Sequence, residues 1–338
     1  MQQQQTVLIL GARGRFGSAV TTAFAAAGWK VLAQRRSPGT PAAEAAGTHD
    51  AIRWLDVDVQ DMAALAVQAR GAGVVVHAMN PVYTDAAWRR EGPEQMQAAI
   101  AISKALGALL MFPGNVYNFG VTMPEVLRED TPQRPSNAKG HVRVALEQQL
   151  QEAARTDGLH SVVIRAGDFF GSGSGALFDR VLVPKLAKGR MGYPAGLQVA
   201  TAWAYLPDLG RTFVQVAQQR VHVQGAQVLH FRGHHLTGQD WLDALAPAAR
   251  AQGWLASDAN LKVDTLPWPL IRALGLVIPT WASLTQMRYI WNTPHTLDNS
   301  RLQALIGQEP HTPLGQAARQ ALTDLRMAVD GEPALRAA

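Results

Sequence analysis

Cysteine is absent from all 338 residues. Without it the chain can hold no disulfide, no thiolate nucleophile and no cysteine-ligated metal. Long hydrophobic runs are missing as well. The most apolar stretch, Leu266 to Trp281, is interrupted by Pro267, Pro269, Arg272 and Pro279, which argues against a membrane span. The opening MQQQQ has neither a basic n-region nor an apolar h-region, so no secretion signal is read there and a cytoplasmic location is expected. Lys and Arg number 31 against 26 acidic residues, a net charge of +5, yet the basic residues are scattered and form no block. Nucleic-acid binding is therefore set aside, while a mild positive field suits an anionic ligand. Internal repeats and low-complexity tracts are absent too.

What is present organises itself around Thr6 to Arg36, TVLILGARGRFGSAVTTAFAAAGWKVLAQRR. Val7 to Leu10 form a short continuous apolar run, the pattern of a parallel strand buried on both faces. Gly11, Gly14 and Gly17 follow at once, then an Ala-rich helical segment ending at Gly28, then a second strand from Trp29 to Gln34. In a strand-turn-helix of this kind Gly11 permits the tight turn and Gly14 lets backbone N–H groups approach a pyrophosphate. Gly17 lets the helix pack closely on the sheet. The helix N-terminus adds unpaired N–H groups and a partial positive charge. The reading is a dinucleotide site in which Gly11, Arg13, Gly14, Arg15, Phe16 and Gly17 line the turn.

An acidic residue usually ends the second strand where NAD is preferred, because it binds the ribose hydroxyls. Here Gln34, Arg35 and Arg36 stand instead. Two guanidiniums can hold a 2′-phosphate, with Arg13 as a third contact, so NADP is expected over NAD.

The length allows a large core and a split into a larger and a smaller lobe. Further strands are expected at Ala51–Leu55, Gly73–His77, Ala108–Phe112 and Ser161–Arg165, alternating with helices at Asp61–Arg70, Glu94–Leu106 and Ala138–Arg155. Residues 37–50 read as loop or short helix. Beyond Gly167 a helix is expected at Leu177–Leu186, a strand at Val228–Phe231, and helices at Asp208–Gln218, Gly238–Ala249 and 312–328. Such alternation predicts an α/β fold, a Rossmann-type doubly wound parallel sheet with a smaller C-terminal substrate lobe. The cofactor domain is placed at 1–170, with sheet elements continuing through about 200–232, and 171–338 are mainly the substrate-binding lobe.

Over roughly residues 6 to 215 the chain resembles the extended and atypical branches of the short-chain dehydrogenase/reductase superfamily, including NAD-dependent epimerases and dehydratases. The marks are GARGRFG (11–17), DVDVQD (56–61), VVVHAMNP (74–81), GNVYNFG (114–120), VIRAGDFFG (163–171) and YLPDLGR (205–211). The resemblance implies that Asp58 and Val59 lie by the adenine, that Ala78, Met79 and Asn80 lie beside the cofactor, and that the loop after Arg165 closes over the nicotinamide. It also implies a catalytic Tyr-x-x-x-Lys, and here the chain departs. Lys139 fits the lysine position, but Pro135 stands four residues earlier, and Pro113, Gly114 and Asn115 occupy the turn where a Ser or Thr is usual.

Lys139, Arg143 and Glu147 instead make a K-x-x-x-R-x-x-x-E stripe, similar to the isoflavone-reductase-like branch, in which a lone Lys acts as acid or base. The same spacing also fits a surface salt-bridge ladder, and Lys139 also fits a residue that only holds the nicotinamide ribose. Tyr117 is a candidate proton donor and Asn115 a candidate partner for a substrate carbonyl. Asp168, in the loop after the sixth strand, is a candidate acid or base, since a carboxylate in a partly apolar cleft titrates high. His77 reads as structural. His230, His234 and His235 lack an acidic partner at ligand spacing, so no metal is expected. The tryptophans at 203, 268, 281 and 291 read as a hydrophobic lid or core.

Three functions fit these residues: an NADPH-dependent reductase of a small carbonyl or enone, a non-catalytic NADP(H)-binding sensor, and a sugar-nucleotide epimerase or dehydratase. A small-molecule substrate is expected, with no nucleic-acid or membrane partner. A homodimer through the helices at 94–106 and 138–155 is expected by the same resemblance.

Overall fold

Helices cover both faces of the central sheet, which is why its strands read as continuous apolar runs. The computed structural model describes residues 5–36 and 51–331. The expected loop or short helix at 37–50 lies outside the described residues. In chain order the elements are β1 (Thr6–Leu10), α1 (Arg15–Ala26), β2 (Lys30–Arg35), β3 (Ile52–Asp56), α2 (Met62–Gln68) and β4 (Val74–His77). Next come α3 (Asp85–Leu106), β5 (Leu109–Gly114), β6 (Val126–Leu127), α4 (Ala138–Asp157), β7 (Ser161–Arg165) and β8 (Asp168–Phe170). They are followed by β9 (Arg190–Tyr193), β10 (Thr201–Tyr205), α5 (Leu206–Gln218), β11 (Ala226–His230), β12 (His234–Leu236) and α6 (Gly238–Ala251). The last are β13 (Lys262–Thr265), α7 (Trp268–Leu274), α8 (Pro279–Asn292), β14 (Thr296–Leu297), α9 (Ser300–Ile306) and α10 (Leu314–Gly331).

Seven parallel strands form the main sheet in the order β11-β7-β5-β4-β1-β2-β3. This is the Rossmann-type, doubly wound α/β fold that the sequence predicts. The order reverses between β1 and β4, so a crevice opens at the carboxyl ends of those two strands. Strand periodicity divides the core in two. Val7 and Ile9 face Phe16, Val20 and Phe24 of α1 and Phe213 of α5. Leu8 and Leu10 face the other way, toward Trp88 and Met96 of α3 and Leu146 and Leu150 of α4.

Smaller sheets build the rest. One is β12-β10-β8, and the pairs β13-β9 and β14-β6 complete it. Phe170, Phe178, Trp203 and Trp241 make an aromatic core beneath α6, whose first turn is fixed by a reciprocal Thr237–Asp240 capping box. Leu302 of α9 returns to pack in the first core of the main sheet.

Two elements differ from expectation for physical reasons. The helix expected to begin at Glu94 begins at Asp85 and runs through Pro93, with the Thr84 side chain capping the Ala87 N–H. Proline costs a helix one hydrogen bond. The buried face of Ala87, Trp88, Gly92, Gln95 and Met96 outweighs that loss. The helix expected at Leu177–Leu186 is a π-helical turn, Phe178–Leu182, followed by a short turn at Leu186–Lys188.

Nor is the Lys139, Arg143, Glu147 stripe a surface ladder; each residue turns to a different buried partner. Glu147 receives two bonds from Arg165 at the end of β7, Nε to Oε1 at 3.0 Å and Nη2 to Oε2 at 2.6 Å, and both residues are buried. Gln133 donates to Oε2 at 2.9 Å, and Arg165 also stacks over Phe119 and meets Nε2 of His230. Burial and the Arg165 charge push His230 down to about 3, so its imidazole is neutral. Removing one partner of such a pair leaves an uncompensated buried charge. Glu147→Gln should therefore destabilise the fold by about 3–5 kcal/mol in urea unfolding. A loss below about 1 kcal/mol, the value of an exposed pair, would contradict this reading.

Candidate active site

The turn after β1 is held by backbone proximity. Gly11 has φ +76°, and a Cβ there would lie 2.9–3.1 Å from Met79. A Cβ at Gly17 would stand 2.3 Å from the Gly11 carbonyl oxygen, closer than any side chain tolerates. Gln34, buried at the end of β2, accepts from the Gly11 N–H at 2.9 Å and donates to the Val57 carbonyl at 2.7 Å. One side chain thus ties the turn to two neighbouring strands.

Around this turn the carboxyl ends of β1 to β4 gather the residues assigned to the cofactor. Arg13 and Gly14 are exposed at the mouth of the helix N-terminus. Phe16 turns its ring inward, against Phe169 and Phe213, and so offers only its backbone to a ligand. Arg15 points toward the second lobe, 3.5 Å from Asp179. Arg35 is paired with both Asp56 oxygens and lies 5.0 Å over the Trp54 ring; Arg36 is exposed. Asp58 accepts from Gln60 N within its own turn, and Val59 is buried in the second core. Ala78 is buried and bonded to the Leu10 carbonyl, Met79 abuts Gly11, and Asn80 is exposed.

The residues assigned to chemistry lie across the crevice. Lys139 is buried in the first turn of α4, with Nζ 2.5 Å from Asp85 Oδ1, 2.8 Å from Ser283 Oγ and 4.5 Å from the Tyr83 ring centre. Burial lowers its pKa, while Asp85 opposes the shift. Arg143 donates to the Pro113 carbonyl and stacks over Trp88 and Phe112; burial lowers it to about 10. Tyr117 Oη lies 3.5 Å from Tyr83 Oη. Burial raises both phenols far above their ordinary value, so both stay protonated. Asn115 spends its side-chain oxygen on the Tyr117 N–H, the role of a turn residue. His77 packs against Phe112 and is pushed to about 3 by burial.

Asp168 begins β8, just past the carboxyl end of β7. Trp291 Nε1 donates to its Oδ2 at 2.6 Å. Burial raises its pKa to about 6, against the opposing effects of Trp291 and Arg15. A carboxylate that titrates near neutrality beside phenols that do not is a separation of acid and base strengths typical of catalytic clefts.

Sequence reasoning missed Tyr83, Trp88, Asp85 and the face of α8. Ser283, Gln286, Tyr289 and Trp291 of that helix reach Lys139, Asp85, the Tyr117 carbonyl and Asp168 in turn. No spacing signal joins partners so far apart; of the tryptophans read as lid or core, Trp268 and Trp291 stack on each other and Trp203 lies in the aromatic core. Below this layer a cavity of about 10 Å³, the size of one water, is lined by His77, Trp88, Gln95 and Arg143, each with a polar atom lacking a protein partner. Among the described residues Asp208, His234 and His311 bring ligand-type atoms within 4.8 Å of one another. The Asp208 carboxylate is already engaged by Arg211 and by the N–H and hydroxyl of Thr312, so this trio fastens the chain before α10 to α5.

Because the folded state disfavours ionised Asp168, its carboxyl binds a proton more tightly folded than unfolded. Stability should fall as pH rises from about 4, the unfolded value, through about 6. Thermal melts of Asp168→Asn should lack that component. An identical pH profile for both proteins would refute the raised carboxyl.

No curated protein sequence matches the chain. A putative epimerase from Burkholderia cenocepacia J2315 superposes with a TM-score of 0.72 at 18% identity, covering 96% of this chain and 99% of its own. The Bordetella bronchiseptica enzyme WbmH, in complex with NAD+, gives 0.70 at 19% identity over 96% and 99%. UDP-glucuronic acid 4-epimerase from Bacillus cereus, in complex with NAD, gives 0.72 at 14% over the same shares. At these identities the likeness is one of fold. The sequence profile of the NAD dependent epimerase/dehydratase family matches residues 7–229, and by that match the chain belongs to this family.

Proposed function

We propose that this chain is an NADPH-dependent oxidoreductase that reduces a small, partly apolar carbonyl or enone, working without a Tyr-x-x-x-Lys couple. The observation that carries the reading is the gathering, past the carboxyl edge of the sheet, of the Tyr117 and Tyr83 hydroxyls 3.5 Å apart with Asp168, which Trp291 bonds at 2.6 Å; burial pushes the carboxyl up to about 6 and keeps both phenols protonated. The backbone from Gly11 to Gly17 and the N-terminus of α1 would hold the pyrophosphate. A bound nicotinamide supplies the hydride.

Tyr117 is the proton donor to the developing alkoxide or enolate, and Tyr83 refills it through their 3.5 Å contact. Lys139 lies beneath the Tyr83 ring with Asp85 and Ser283 fixing its ammonium, so it acts as an electrostatic support. Asp168 polarises the site and returns a proton from solvent. The aromatic walls, Tyr83, Tyr117, Tyr289 and Trp291, favour an apolar substrate over a sugar nucleotide. Purified protein should oxidise NADPH with ketones or enones, and Tyr117→Phe should lower kcat about 100-fold or more. Turnover of UDP-hexoses at C4 without net oxidation of cofactor would replace this reading with an epimerase. Cofactor binding without turnover of either class would leave the sensor.

The preference for NADPH rests on Arg35 and Arg36 at the end of β2, where Asp56 and Trp54 hold the Arg35 guanidinium in a fixed position. Changing both arginines to Ala should weaken NADPH binding about 10- to 100-fold and leave NADH nearly unchanged. A wild-type preference for NADH would refute the assignment.

A further inference from the structure

We propose, against the sequence expectation of no membrane partner, that the α7–α8 hairpin docks this protein onto an anionic lipid surface. Leu276 is 87% exposed and Val277 77%, at the tip between the two helices, and Leu270 on α7 is 54% exposed. With Ile278 they make four of the ten large exposed hydrophobics among the described residues, all in one hairpin. Scattered apolar side chains are ordinary on a surface; a projecting cluster marks an interaction site.

Charge selects the occupant. From Thr265 to Leu297 the chain contains no Asp, Glu or Lys, and its two charged residues are Arg272 and Arg288. Both line a groove of about 550 Å³ with Leu266, Trp268 and Pro269, and the Arg288 guanidinium lies 4.9 Å over the Trp268 ring. The acidic groups packed nearest are engaged elsewhere: Asp85 with Lys139, Asp168 with Trp291 Nε1, and Asp264 with Arg190 and Lys185. An apolar tip beside unopposed arginines and a tryptophan matches the boundary between acyl chains and anionic headgroups. The hairpin is too short to span, and no described helix is long and apolar enough to cross a membrane. Docking would therefore be peripheral.

The same α8 delivers Ser283, Tyr289 and Trp291 to the candidate active site, so docking sets the cleft's lid against the bilayer, where apolar carbonyl compounds partition. That consequence rests on the reductase reading; the docking does not.

The test is co-sedimentation of the full chain with phosphatidylcholine vesicles, with and without phosphatidylglycerol. It needs no turnover, so its failure leaves the enzymatic reading untouched. Wild-type protein should sediment with the anionic vesicles, less so as salt rises. The double variant Leu276→Asp, Val277→Asp should partition at least about tenfold more weakly. Arg272→Gln with Arg288→Gln should bind weakly and lose the salt dependence. Both pairs are largely exposed, and unchanged circular dichroism checks that they fold. Absence of wild-type binding, or binding equal in the Asp variant, overturns the proposal. So does self-association that the Asp variant abolishes in sedimentation velocity without any vesicle binding, because the tip would then cover a second copy.

Discussion

The arrangement depends on how closely α1 approaches the turn that follows β1. At Gly17 there is no room for even one carbon, because the Gly11 carbonyl oxygen stands 2.3 Å from where it would be. That approach fixes the helix axis, and the axis aims the helix N-terminus into the crevice between β1 and β4. Gln34 then locks the turn to the ends of β2 and β3. A ligand phosphate would meet preset N–H groups, so little ordering cost remains to be met at binding.

A second constraint comes from the far end of the chain. Lys139 and Arg165, both buried, and the half-buried Arg143 are three cations behind the crevice, and each is satisfied differently: by Asp85 and Ser283, by Glu147, and by a carbonyl and two aromatic faces. Only the first depends on α8. Moving that helix would take the Ser283 hydroxyl from Lys139, which keeps Asp85 of α3, and would remove Trp291 from Asp168 and Tyr289 from the Tyr117 carbonyl. The position of this helix therefore bears on Asp168 and on the Lys139–Asp85 pair.

Much of the fold was legible. The strand Ser161–Arg165 was read to the residue, because an apolar run bounded by turn signals has few alternatives. The glycine turn was legible for the same reason: spacing, strand and helix all agree locally. Helix α3 begins nine residues before the expected Glu94, because the buried face that carries it through Pro93 is a tertiary property with no local signal. The K-x-x-x-R-x-x-x-E stripe was read with correct periodicity but without its partners. Asp85, Pro113 and Arg165 lie on other elements, and i, i+4 spacing carries no information about them. The lid contacts were illegible for that reason as well, although Asp168 was singled out by its place after β7.

The central claim is that the β1–α1 turn holds a nicotinamide dinucleotide. The most direct test is a titration of NADPH followed by nicotinamide fluorescence, on the wild-type chain and on Gly14→Asp, which sets a carboxylate at the mouth of the helix N-terminus. Wild type should show a saturable rise in emission, and Gly14→Asp should show none while its circular dichroism is unchanged. No saturable signal from wild type with NADPH or NADH, or equal binding by the variant, would contradict the account.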